Sequence, residues 1–285
     1  MKIKYLHHHL GLGDHFCCNG LVIELIKRWN VDRLVLFCWN HNHSTLQKLY
    51  QGTKVELVPI SSSMSEYVQI ENYLKKRNIA LTHNGDVDWN TGNSGDYFKL
   101  GFRWMETECH KKISQHVSCD QCFYLQANVP YEMRFDGFSY TRNLQEEEQI
   151  YNTLNPNNEP YIFVAIDDPD RGLIAPSRKC ITTNLKVIEN PKQYNILSLG
   201  KLLENAEEIH VMDSSIRCLI DCRKSYDMSK PKLFIHAWRG GIWGNSTLLS
   251  WNIIWQDCFQ QKCERKYPMY TGPNNSPTSK GYQVE

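Results

Sequence analysis

Long hydrophobic runs are missing from this 285-residue chain. No stretch approaches the roughly 18 apolar residues that a membrane-crossing helix needs, which predicts no membrane span. A dominant charge sign is missing as well: 32 Lys and Arg face 31 Asp and Glu, for a formal net charge of +1. There is no run of five like charges and no polybasic tail. That balance argues against a protein held to nucleic acid by phosphate attraction, so no nucleic-acid partner is expected. It leaves room for a local basic pocket that takes a phosphorylated small molecule. The opening segment MKIKYLHHHLGLGDH lacks the pattern of a secretion signal, because three histidines and Asp14 break its apolar part. Eleven scattered cysteines, an odd number, then predict reduced and mostly buried thiols and a cytoplasmic protein.

What is present has globular proportions, with 41% hydrophobic and 22% charged residues, which excludes disorder and collagen-like structure. A chain of this size makes one large domain or two small ones and buries about 70–75% of its unfolded surface. The first half reads as strand 2–6, a Gly11-Leu12-Gly13-Asp14 turn, helix 17–29, strand 33–38, helix 43–51, strand 54–58 and helix 64–77. Residues 82–96 read as a polar loop, 97–122 as helical and 141–153 as an exposed helix. The segment 154–160, with its prolines and asparagines, reads as a linker. The pattern then restarts with strand 161–166, turn 167–172, strand 185–188, helix 198–206, strand 208–212, helix 216–224 and a closing strand 232–236. Both halves are therefore α/β with parallel sheets. The expected division is an N-terminal domain 1–153, a C-terminal domain 161–266 and an extended tail 267–285.

Five constellations could carry chemistry, and each has a plainer structural reading. Gly11 to Asp14 stands between a strand and a helix. It could offer free amides and a carboxylate to a ligand, or Asp14 could simply cap the helix. Asp167, Asp168, Asp170 and Arg171 follow a buried strand, where open α/β sheets bind ligands. They could hold a diphosphate or a sugar hydroxyl, or form an acidic surface turn. Asp213, Ser214 and Ser215 repeat the strand–turn–helix arrangement and could bind a phosphate or cap the helix. Cys119 and Cys122, with Cys109 and His110, could form a zinc site, but adjacent Cys109 and His110 suit a closed tetrahedron poorly, and no metal is expected. His7, His8, His9 and His15 are better read as polar groups, one or two of them facing a crevice. Trp238 and Trp243 bracket a double-glycine loop and could stack on a sugar or base, or pack. Trp251 and Trp255, at i and i+4, read as core.

The Gly-Leu-Gly-Asp turn and the later strand-Asp-Ser-Ser-helix unit occur in one chain in the same order as in the GT-B glycosyltransferases. Over 11–21 and 208–221 the chain resembles the ADP-heptose:lipopolysaccharide heptosyltransferase family. Ser215 stands where that family usually has Gly, and Cys218 and Leu219 stand near its usual His. The segment Phe163–Gly172 resembles the arginine-bearing strand end of fucosyltransferases, without their His-x-Arg arrangement. The resemblance implies two Rossmann-like domains facing each other across a cleft. It also implies inverting, metal-independent sugar transfer from a nucleotide-sugar donor to a glycan or other hydroxyl acceptor, with no cofactor. By that resemblance Asp14 is the general base, and Gly13, Asp168, Arg171, Asp213, Ser214 and Ser215 bind the donor. His15 and Trp238 are expected on the acceptor side. Two other readings stand beside it: a Mg²⁺-dependent sugar-nucleotide or phosphate-ester enzyme using the acidic turn, and a non-catalytic nucleotide- or glycan-binding module.

Overall fold

The computed structural model describes residues 1–81, 88–101, 118–168, 172–175, 178–222, 226–237 and 249–255. The chain divides into two compact units, Met1–Thr141 and Arg142–Glu285.

The first unit runs β1 (Ile3–His7), α1 (Leu12–Arg28), β2 (Arg33–Trp39), α2 (His43–Leu49), β3 (Val55–Ile60), α3 (Glu66–Lys75), β4 (Tyr97–Lys99), α4 (Cys119–Gln126) and α5 (Met133–Asp136). Its sheet has the order β3-β2-β1-β4, and every pairing is parallel. Buried residues run without a break through Leu34–Cys38 of β2, as expected for a parallel strand covered on both faces. Helix α1 starts at Leu12, five residues before the expected 17, because Gly11 is already its N-cap. It ends where Asn30 turns left-handed at φ 45°. There the Asn30 amide donates to Lys27 O and the Val31 amide to Ile26 O, which closes the helix with paired terminal carbonyls.

Gly20 lets α1 meet α5 at backbone distance. A Cβ on Gly20 would stand 1.9 Å from Met133 O. The same junction holds a fully buried ion pair, Arg134 Nε to Asp120 at 2.7 Å. Tyr131 and Ser118 hydroxyls donate to that carboxylate, and Arg134 reaches Cys17 Sγ at 3.3 Å. The expected helix over 97–122 is corrected at its start. Tyr97–Lys99 is an edge strand on β1, with Phe98 stacked on Trp29 at 4.4 Å. Two consecutive buried aromatics fit a strand that packs on both faces; residues 102–117 lie outside the described residues.

The second unit runs α6 (Leu144–Leu154), β5 (Tyr161–Ala165), β6 (Lys186–Glu189), α7 (Gly200–Glu204), β7 (Glu208–Met212), α8 (Ser215–Ile220), β8 (Lys232–Ala237) and β9 (Trp251–Trp255). The sheet order is β6-β5-β7-β8-β9, again all parallel. The sequence reading closed the series at β8. Residues 251–255 add a fifth strand, because the even spacing of Trp251 and Trp255 satisfies one face of a strand as well as a helical turn. Helix α6 groups with this unit, not with the first. Arg142, at its start, ion-pairs with Glu147 and with Glu204 of α7, the latter at 2.6 Å, and the Lys201 amide donates to Glu147 at 2.9 Å. Segment 154–160 is a hydrogen-bonded turn in which buried Asn155 bonds to both backbone groups of Glu159. The tail 267–285 lies outside the described residues.

Candidate functional site

In each sheet the chain leaves a central strand in one direction and later returns to its other side. The loops at the carboxyl ends of those two strands then diverge and leave a crevice. In the first unit these strands are β1 and β4; in the second they are β5 and β7.

Residues 8–15 follow β1 at the first of these points. Gly11 is the N-cap of α1, so Gly13 and Asp14 are its second and third residues. The Asp14 carboxylate folds back over the cap, since a Cβ on Gly11 would lie 2.5 Å from Asp14 Oδ2. Asp14 is half-buried, and negative charge is favoured at this end of a helix. Both the capping and the proton-accepting readings of Asp14 are compatible with that place. His8 and His15 are fully buried, their rings edge-on at 4.4 Å. His8 Nδ1 bonds to the His9 carbonyl, and among the described residues its Nε2 atom has no hydrogen-bond partner. Among the same residues neither His15 ring nitrogen has one. Burial pulls the His8 pKa down to about 4. His15 lies well below the usual histidine value, through burial and then through the nearness of His8. Both rings are therefore neutral at pH 7.

His7 stacks on Tyr97 and shares a 3.0 Å contact with its hydroxyl. His15, expected on the acceptor side, is fully buried on α1. No group of three or more His, Cys, Asp or Glu suited to a metal ion occurs among the described residues. Cys122 is buried in α4, and Cys109 and His110 lie outside the described residues.

In the second unit, Asp167 and Asp168 follow β5, and Asp213, Ser214 and Ser215 follow β7. Because β5 and β7 are hydrogen-bonded neighbours, both polar turns stand at the same point of the sheet. Asp167 accepts from Arg178, which also pairs with Glu189. Asp168 is bridged to Leu173 through both backbone groups, and its carboxylate takes Lys192 at 3.1 Å. Asp213 accepts from Arg217 at 2.9 Å. Arg217, fully buried, also faces Asp221 at 3.5 Å, and Asp221 accepts from Trp251 Nε1 at 2.9 Å. Ser214 is the N-cap of α8 and Ser215 its first residue, with no side-chain cap bond from Ser214. Both serines are half-buried. Arg171, Asp170, Trp238 and Trp243 lie outside the described residues.

The sequence reading missed the neutral His8–His15 pair as a unit. It also missed a line of polar side chains across β7 and β8: Glu208, His210 and His236. The visible signal was Glu208 and His210 at alternate positions of an otherwise apolar strand. A separate cavity of about 370 Å³ is lined by His43, Tyr50 and Thr53 near the start of β3, away from the carboxyl strand ends.

These two parallel sheets make each unit a Rossmann-like α/β fold. No protein-family model and no curated protein matches the chain, but solved structures do. It is similar to a glycosyl transferase family 9 structure from Veillonella parvula, with 9% identity over 91% of this chain and 87% of that one, and a TM-score of 0.50. It is equally similar to the E. coli ADP-heptose lps heptosyltransferase II, with 10% identity over 92% and 95% of the two chains and a TM-score of 0.50. At these identities the likeness is one of fold.

Proposed function

We propose that the protein is a glycosyltransferase that moves a sugar from a nucleotide-sugar donor to an acceptor hydroxyl, with inversion and without a metal ion. The observation that carries the reading is the paired placement of two polar turns. Gly13-Asp14 opens a helix after the central strand of the first sheet. Asp213-Ser214-Ser215 opens a helix beside the corresponding point of the second. The similarity in fold to transferases, one of them named for an ADP-linked sugar, supports it.

In this reading the Asp14 carboxylate accepts the proton of the acceptor hydroxyl as its oxygen attacks the anomeric carbon. The bond to the leaving diphosphate breaks on the opposite side, which inverts the centre. Charge grows on the leaving nucleoside diphosphate. The Ser214 and Ser215 hydroxyls and the amides at that turn donate to it, with Arg171 as the cationic partner. Asp213 holds the turn through Arg217. His8 and His15 stay neutral and packed against each other next to this turn. Trp238 is the proposed acceptor contact. The Mg²⁺ reading is less favoured because Asp167 and Asp168 already pair with Arg178 and Lys192.

A thermal-shift screen against nucleoside diphosphates and nucleotide sugars tests the donor half. A ligand at 100 times its dissociation constant adds about 2.7 kcal/mol of stability. The expected result is a rise in Tm with one nucleotide class, diminished in the Ser214→Ala/Ser215→Ala variant. No shift with any nucleotide contradicts the reading.

A further inference from the structure

One face of the second sheet carries polar groups that sugar transfer does not use. Ile162 and Val164 on β5 and Ile166 just beyond it pack against Ala175, Ile181 and Leu185, so the segment after β5 covers this face. Glu208 pairs with Ile162 and His210 with Val164 in the β5–β7 register, which puts both on the covered face. His236 of β8 lies opposite Met212, diagonal to His210. The contacts form a continuous line. Glu208 Oε2 to His210 Nε2 is 3.2 Å, His210 Nδ1 to His236 Nε2 is 2.9 Å, and His236 Nδ1 to Cys180 Sγ is 3.5 Å. His210 stacks flat on Phe234 at 4.5 Å and 6°, which fixes its ring plane.

The carboxylate orders the tautomers. Ionised Glu208 can only accept, so His210 Nε2 carries the proton. His210 Nδ1 is then a bare acceptor, and His236 donates to it from Nε2. His236 Nδ1 is left as a lone pair that faces a thiol. Burial pulls His236 down to about 4 and lowers His210 while the thiol is neutral, so both rings start neutral; negative charge forming on Cys180 Sγ, 3.5 Å from Nδ1, offsets the burial cost and favours the His236 imidazolium as the proton moves. The thiol at the end of this relay is exposed, whereas Cys17, Cys18, Cys38, Cys122, Cys218 and Cys222 are buried.

We propose that Cys180 is an activated thiol, a site of reversible mixed-disulfide formation with low-molecular-weight disulfides, and that His236, oriented by His210 and Glu208, is its base. As Cys180 Sγ attacks one sulfur of the reagent, its proton passes to His236 Nδ1. The reagent's S–S bond breaks, a new S–S bond to Cys180 forms, and the departing thiolate takes the proton back from the imidazolium. Cys180 is oxidised to the disulfide level, and half of the reagent leaves as a reduced thiol. The inference does not rest on the glycosyl-transfer reading.

The test uses glutathione disulfide as probe, with the modified peptide followed by mass spectrometry in the full chain. Exposure alone would also favour Cys180, so each rate is compared with that of the same cysteine in the guanidinium-denatured chain. The expected result is native modification about tenfold or more faster than in the denatured chain. His236→Gln should bring the native rate down to the denatured one or below it. Glu208→Gln, which leaves the thiol equally exposed, should lower it several-fold. A native rate no greater than the denatured rate overturns the proposal, as does a folded His236→Gln variant within about twofold of wild type. Should that variant fail to fold, the native-to-denatured ratio of the wild-type chain decides alone.

Discussion

Asp213, at the carboxyl end of β7, is tied to the fully buried guanidinium of Arg217 one helical turn further on, at 2.9 Å. Arg217 also faces Asp221, which in turn is bonded by the Trp251 indole of β9. The turn that carries Ser214 and Ser215 is therefore fixed from below by a charged network reaching the far edge of the sheet. Removing one member of a buried pair strands the other charge, at about 3–5 kcal/mol. Arg217→Met should lose stability of that order in denaturant unfolding. A loss under about 1 kcal/mol would place the network in contact with water instead.

The crossing of α1 over α5 depends on Gly20. A methyl group there would overlap Met133 O, a backbone atom that cannot rotate away. Overpacking of this kind costs about 1–3 kcal/mol and sometimes more. Gly20→Ala should lower Tm by several degrees. An unchanged Tm would mean that the two helices separate at no cost.

Acid should weaken the fold well above the carboxylate range. His8 and His236 have folded pKa values near 4, below the ordinary 6.5. The unfolded chain therefore binds protons that the folded chain refuses. Stability from these groups is complete above about pH 6.5 and falls as the pH drops toward 4. For His8 alone the loss at pH 4 is on the order of 3 kcal/mol. Chemical denaturation at a series of pH values should show this decline between pH 6.5 and 4. His8→Gln should make it shallower, with the share from His236 kept, and a flat profile in the wild-type chain would contradict the buried neutral histidines.

Asp14 has two claims on it, as a cap of α1 and as a base, and one substitution separates them. Asp14→Asn keeps a side chain able to cap, so its stability should fall by no more than about 1 kcal/mol. Loss of a general base lowers the rate about 10²–10⁴-fold. A large loss of transfer with a nearly unchanged Tm is expected. A matched small loss of both would leave Asp14 as a cap only.

The parallel α/β character of each unit followed from features that were visible in the sequence: apolar strands 33–38, 161–166 and 208–212, punctuated by Gly and Asp turns and separated by helical periodicity. What escaped had no local signature. Tyr97–Lys99 is too short for alternation to show, and only pairing with β1 makes it a strand. Trp251 and Trp255 satisfied both periods at once. Helix α6 has an amphipathic pattern that does not say which sheet it joins; that is decided by the long-range pairing of Arg142 with Glu204. At the site, the turns were legible as motifs, but the partners of their acids were not. Lys192, Arg178 and Arg217 neutralise Asp168, Asp167 and Asp213. Two of those partners lie 11 and 24 residues from the acids they neutralise, so spacing within the motifs could not show these ion pairs.

Release of a nucleoside diphosphate together with a glycosylated acceptor, followed by mass spectrometry over a panel of nucleotide sugars and hydroxyl acceptors, tests sugar transfer most directly. The wild-type chain should form both products from one donor class, and Asp14→Asn should form them at least about a hundredfold more slowly. Nucleotide that binds but is never turned over, or turnover indifferent to the Asp14 carboxylate, would contradict it.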